Sequence, residues 1–264
     1  MSVTLHTPSI VYTLRHTPSW MMLAFAAGSV NAFAFLSCEK YVTHLTGTVT
    51  SAGLGLLESA VFWDSIILIV CFVAGAAASV IALQAREQRG KRPLWAWPLI
   101  LVALLVAGTG VAGWAGLFGP LDEPIRPMTI LCILSFAMGL QNASVATTTG
   151  LYVRTTHLTG PASDLGVHLG SAFFAEGQER WAALKGAFLR ACKIAGFVGG
   201  AFATLFTFTG LGYLSLLPPA CLILAATALS FVPAWGPSDY GLNEDGKPED
   251  RAAPEGTATQ SGTA

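Results

Sequence analysis

Six apolar runs of about twenty residues, joined by short polar stretches, decide what this chain can become. They cover residues 20–38, 64–84, 94–118, 127–147, 186–209 and 211–233. A helix needs roughly twenty mostly apolar residues to cross the ~30 Å hydrocarbon core of a bilayer. Hydrophobic residues make up 53% of the chain and charged residues only 11%, well below the roughly 25% charged of soluble domains. We therefore expect an all-α polytopic membrane protein with six transmembrane helices, its first partner being the lipid bilayer. The net charge of −1 gives no basic footprint for nucleic acid, and none is expected as a partner.

Five cysteines, Cys38, Cys71, Cys132, Cys192 and Cys221, stand singly in or beside these runs, and no CxxC spacing occurs. We expect them to behave as small buried hydrophobes, not as metal or redox ligands. Residues 1–19 lack the short apolar region and cleavage site of a signal peptide, so the first run is expected to stay as an uncleaved span behind a cytoplasmic N-terminal segment. Several runs are rich in Gly and Ala, as in Phe72-Val-Ala-Gly-Ala-Ala-Ala-Ser79. Small residues let helix backbones approach closely in lipid. From residue 234 to 264 the chain turns polar, with Asn243-Glu-Asp-Gly-Lys-Pro-Glu-Asp-Arg251, and we expect a disordered cytoplasmic tail.

Lys and Arg in short loops set orientation. Arg86, Arg89, Lys91 and Arg92 follow the second run, Arg15 precedes the first, and Arg154, Arg180 and Lys185 lie between the fourth and fifth. Lys40 and Arg126 fall on the other side. Both termini are expected to be cytoplasmic.

A repeat runs through this pattern. Thr43-His-Leu-Thr-Gly47 recurs as Thr156-His-Leu-Thr-Gly160, offset by 157 − 44 = 113 positions. Gly28-Ser-Val-Asn-Ala32 answers Gly139-Leu-Gln-Asn-Ala143 at 139 − 28 = 111, and Phe72-Val-Ala-Gly-Ala76 answers Phe197-Val-Gly-Gly-Ala201 at 197 − 72 = 125. The two units span residues 20–118 and 127–233. Each holds three crossings, an odd number, so the second unit must lie upside down relative to the first. Such inverted repeats are common in secondary transporters, with the solute site near the midplane between units.

The segments that open at Thr46-Gly47 and Gly160-Pro161 are helix-compatible, rich in small residues and too short to cross. Pro161 suits a first helical position with Thr159 or Gly160 as cap. We expect two re-entrant half-helices whose amino ends dip inward; amphipathic helices lying at the interface are the alternative. Helix amino ends carry partial positive charge and attract anions.

Several polar residues then become candidates for binding. His44 and His157 are equivalent, and the alternative role for each is hydrogen bonding at the helix entry. Asn31 and Asn142 are amides inside apolar spans, able to bond a re-entrant loop, a neighbouring helix or a solute, and Gln141 adds an amide beside Asn142. With Thr46, Gly47, Thr159 and Gly160, these four form the expected solute site. Asp164, His168 and Ser171 recur at i, i+4 and i+7 on one helix face, and Asp164 with His168 is the expected proton-coupling pair. Their counterparts, Ser51 and Gly55, carry no charge. Arg190 and Lys193 are expected to snorkel to headgroups, and Glu58 and Asp64 to be solvated.

Gly28-x-x-Asn31-Ala, Thr46-Gly47, Gln141-Asn142-Ala, and Thr155-Thr-His-Leu-Thr-Gly160 with Ser163-Asp164-Leu-Gly166 together resemble the YoaK-like bacterial inner-membrane proteins, a family built on a domain of unknown function. The resemblance covers residues 20–233. It implies a six-span protein of the bacterial inner membrane without a settled activity. The chain departs from that pattern at Asn31, where many members carry Asp, and at Thr48, where Asn usually follows the first Thr-Gly.

The function expected from these features is secondary transport of a small polar or anionic solute, with proton coupling; a homo-oligomer is compatible with it. No catalytic residue, cofactor or metal is assigned. Two alternatives stay open. One is an intramembrane metal-dependent hydrolase using His44, His157, Asp164 and His168, although no HExxH spacing supports it. The other is a non-transporting scaffold or receptor.

Overall fold

The computed structural model describes residues 17–91, 94–121, 128–149 and 153–231, and among these every regular element is helical. The order is α1 (Thr17–Cys38), α2 (Leu45–Leu54) with a 3-10 turn (Gly55–Leu57), α3 (Ser59–Gln88), α4 (Trp97–Trp114), α5 (Met128–Thr148), α6 (Thr159–Phe174), α7 (Gly177–Leu211), a second 3-10 turn (Gly212–Leu216) and α8 (Leu217–Phe231). The expected tail at 234–264, most of the segment 1–19, and Arg92 and Arg126 lie outside the described residues.

Five stretches are long and apolar enough to cross a membrane, the last being Gly177–Leu229, which takes in α7, the turn and α8. The joint in that stretch is Gly212, at φ +54, two residues beyond the expected break at Gly210. Only Gly accepts this left-handed conformation cheaply. At 15 residues α8 is shorter than the expected run. Large apolar side chains face outward on these helices, among them Trp63, Val70, Ile81, Leu104, Phe202 and Phe206, as lipid contact requires. The cysteines fit the expectation unevenly: Cys38 is buried, while Cys221 is exposed on that same apolar surface.

α1 and α5 form the centre, each with 61% of its apolar window buried, against 28% for α3. α1 packs chiefly on α7 and α8, and α5 on α3 and α4. The seams rest on glycine. A Cβ on Gly28 would collide with the Phe197 carbonyl oxygen, and one on Gly139 with that of Phe72. Gly200 stands in the same way against Phe25, and Gly75 against Phe136. Through the offsets of 111 and 125 the first contact maps onto the second and the third onto the fourth, so the repeat read from short sequence matches is a repeat of packing.

The same contacts fix direction. Met21 meets Gly196, Phe25 meets Gly200, and the Thr204 hydroxyl donates to the Ser29 carbonyl at 3.4 Å. Both helices advance together, so α1 and α7 are parallel. The Ser135 hydroxyl donates to the Leu68 carbonyl at 2.9 Å and Gly139 meets Phe72, so α3 and α5 are parallel too.

The rise of the offset from 113 to 125 between the motif and the next span is also placed. α6 has 16 residues where α2 has 10, and α7 begins before the position equivalent to the start of α3. The extra dozen residues lengthen the second short helix and the polar start of α7. At 1.5 Å per residue α2 is about 15 Å long and α6 about 24 Å, both short of the ~30 Å core.

Candidate functional site

The two Thr-His-Leu-Thr-Gly motifs meet. They are held by the central helices, through Asn31 on α1 and Asn142 on α5. The Val42 and Thr43 N–H groups donate to Asn31 Oδ1 at 3.1 and 3.0 Å. The Thr156 N–H donates to Asn142 Oδ1 at 3.4 Å. Buried non-helical backbone needs such partners, and an amide oxygen supplies them. Neither Asn Nδ2 finds an acceptor among the described residues, which leaves an NH2 donor group at each position.

Past each Asn-held turn comes the histidine, then a glycine that makes room for it. A Cβ on Gly47 would meet the His44 ring, and one on Gly160 the His157 ring. The Gly160 N–H donates to His157 Nε2 at 3.1 Å, so His157 acts as an acceptor at the helix entry. This changes the expected cap. α6 begins at Thr159, Leu158 occupies the cap position without a side-chain bond, and Pro161 is the third helical residue.

Between the motifs lies a cavity of about 380 Å³. Its fourteen lining residues fall into seven repeat-equivalent pairs: Asn31 and Asn142, Tyr41 and Arg154, Thr43 and Thr156, His44 and His157, Leu45 and Leu158, Thr46 and Thr159, Phe72 and Phe197. Six of the eight expected solute-site residues therefore line one space. Gly47 and Gly160 do not line it and act through the imidazoles they accommodate. The first residues of α2 and of α6 both open on this cavity, each bringing backbone N–H groups that have no partner within the helix.

Electrostatics break the symmetry. Among the described residues no carboxylate lines the cavity, and Arg154 is the one permanently charged lining residue. Behind it, Lys193 on α7 donates from Nζ to the Arg154 carbonyl and, at 2.8 Å, to the His157 carbonyl. The expectation that Lys193 snorkels to headgroups is thus corrected: it fastens the loop that carries Arg154 and His157. Its equivalent is Leu68, so a cation inside one copy of an otherwise apolar position was the available signal. Partial burial first, and then the charges of Lys193 and Arg154, hold the His157 imidazole below its ordinary pKa. Near neutral pH it is uncharged, accepts at Nε2, and keeps Nδ1–H as a donor.

Asp164 and His168 lie apart from the cavity lining. Arg190 Nε donates to Asp164 Oδ2 at 3.3 Å, which also replaces the snorkelling expected of Arg190. His168 covers Gly186 on α7. These contacts dock α6 on α7. Asp64, expected to be solvated, pairs with Lys40 at 3.4 Å. Gln141 is fully buried and donates from Nε2 to the Leu23 carbonyl and the Thr155 hydroxyl, each at 3.0 Å, so it ties α1, α5 and the second motif together without lining the cavity. The four residues of the metal-hydrolase alternative do not converge: among the described residues no group of three or more His, Cys, Asp or Glu could hold an ion. Sequence reading missed the other eight lining residues, the pairs Tyr41 and Arg154, Thr43 and Thr156, Leu45 and Leu158, and Phe72 and Phe197; each is one repeat offset from its partner, and the repeat was the signal that could have found them.

The model of a family described as "Protein of unknown function (DUF1275)" matches residues 19–229. No curated protein and no solved structure matches the chain.

Proposed function

The chain belongs to the DUF1275 family, which includes the YoaK-like proteins, and on that premise we propose that it is a six-span secondary transporter for a small anionic or polar solute. The observation that carries this is the convergence of both motifs, with both short-helix amino ends, on one cavity lined by equivalent residues. Transporters built from inverted repeats bind solute between the units, where broken or half helices point their positive ends at it.

The parallel seams support inversion by a length argument. If the second unit ran in the same sense as the first, α1, α3, α5 and α7 would all be parallel. α2 and its 3-10 turn would then have to carry the chain back across the membrane, and together they reach only about 21 Å. With α2 and α6 re-entrant, α1 and α7 cross one way and α3 and α5 the other. Arg86 in the last turn of α3, Arg89 and Lys91 just beyond it, and Arg180 and Lys185 at the start of α7 then lie on one side, which the positive-inside rule makes cytoplasmic. Proton coupling through Asp164 and His168 is a secondary part of the proposal: titration there would reach the cavity only through α7.

Uptake into proteoliposomes, scanned over anionic, cationic and neutral solutes, tests the reading. Saturable flux that Asn142→Ala or His157→Ala weakens supports it. Tight vesicles with no flux in any class contradict it and favour the scaffold or receptor alternative.

A further inference from the structure

Of the seven equivalent pairs around the cavity, six match closely in chemistry and one does not: Tyr41 stands where the second unit has Arg154. A site with two matching ends would take a solute with two matching ends, and this site has a cationic end and an aromatic one. We infer that the solute is an organic monocarboxylate with a short apolar or aromatic tail, its carboxylate on Arg154 and its tail on Tyr41. The inference rests on the reading of this cavity as the solute site.

The aromatic end is already built. Tyr41 stacks on Phe35 with centroids 4.7 Å apart and planes 7° from parallel, and stands edge-on to His44 at 5.9 Å. A ring held in this way offers a flat apolar face at little further entropic cost. The cationic end is built as well. Arg154 presents a planar fork suited to a carboxylate, and Lys193 holds its carbonyl in place. A buried amide adds a donor to the cavity: Asn31 is only 8% exposed, lines it, and has its Nδ2 without an acceptor among the described residues. Among the described residues one cation and no carboxylate line the cavity, which fits a single negative charge. Leu45, Leu158, Phe72 and Phe197 supply apolar lining that suits the tail of such a solute.

The test is binding to the purified full-length protein in detergent, followed by calorimetry, with benzoate, acetate, benzamide and inorganic phosphate as probes. Benzoate should bind, with acetate weaker by several-fold and benzamide and phosphate at least about tenfold weaker, the range a charge-assisted bond commands. Arg154→Gln should weaken benzoate at least about tenfold, with partial rescue in Arg154→Lys. Tyr41→Ala should weaken benzoate several-fold and leave acetate unchanged, while Tyr41→Phe keeps both. Equal binding of benzamide and benzoate, or indifference to Arg154→Gln in a variant that melts normally, overturns the inference. Flux in proteoliposomes separates this from the parent reading. Neutral solutes carried without carboxylate binding would sink the inference and leave transport standing; benzoate bound but never carried would sink transport and leave the carboxylate site standing.

Discussion

Replacing Gly28 or Gly139 by Ala is the sharpest test of the packing that brings the two motifs together. At each position a Cβ would fall well inside 3.0 Å of a backbone carbonyl oxygen of the facing helix, Phe197 or Phe72. A carbonyl within a helix cannot rotate away, so the seam must open by roughly 1 Å. Such a gap forfeits about a quarter to a half of each contact of ~0.1–0.2 kcal/mol. Over some 40 atom pairs that comes to about 2–3 kcal/mol, the size of overpacking in a tight core. Ala returns up to about 1 kcal/mol through helix propensity, leaving a net loss of about 1–2 kcal/mol. At about 2–4 °C per kcal/mol for a chain of this size, the melting temperature should fall by about 2–8 °C. Gly108→Ala on α4 meets nothing within 4 Å and should raise it by about 2–4 °C. Thermal unfolding in one detergent, followed by tryptophan fluorescence, measures all three. Equal losses at Gly28 and Gly139 with a gain at Gly108 are expected. A loss at only one of the pair, or gains at all three, would refute the equivalent seams.

Other substitutions probe the site. Asn31→Ala removes the acceptor of two N–H groups and should cost about 1–3 kcal/mol in the same assay, more than Asn142→Ala, which loses one bond. Asn31→Asp keeps that acceptor and should fold, yet it places a negative charge at the cavity wall, so anion uptake should drop at least about tenfold. Lys193→Met frees the carbonyls of Arg154 and His157 and should speed hydrogen exchange across residues 153–158. The depressed His157 pKa means that the unfolded chain takes up a proton first as pH falls. Stability contributed at His157 is therefore intact above about pH 6.5 and declines below it; melting between pH 8 and 5 should show this, and His157→Gln should flatten it. Asp164→Asn breaks an exposed pair worth about 0–1 kcal/mol and should leave solute binding intact; pH-gradient dependence of uptake that survives it excludes coupling through Asp164.

The spans were legible because lipid imposes a length and a composition on every crossing, and α1, α3 and α5 match their apolar runs to within a few residues. The motifs were legible as a pair because their offset was constant. What the sequence hid was local. Pro161 suggested a first helical position, but the His157 imidazole takes the Gly160 N–H, and the helix starts earlier at Thr159. Lys193 resembled a snorkelling side chain because nothing linear shows that α7 passes behind the 153–158 loop. Arg154 counts in the sequence only as an orientation charge, and its place in the cavity lining opposite its equivalent Tyr41 emerges only from the fold. Asp164 and His168 shared a helix face as expected, but that face is spent on docking α6 to α7.

The account stands on α2 and α6 entering from opposite leaflets to meet at one cavity. Single cysteines at Leu57, at the far end of the first short segment, and at Phe174, at the far end of α6, report this directly, since both side chains are exposed. In a background with the five native cysteines changed to Ala, a membrane-impermeant maleimide should label Leu57→Cys only from outside intact cells. It should label Phe174→Cys only in inside-out vesicles. Labelling of both from the same side would contradict it.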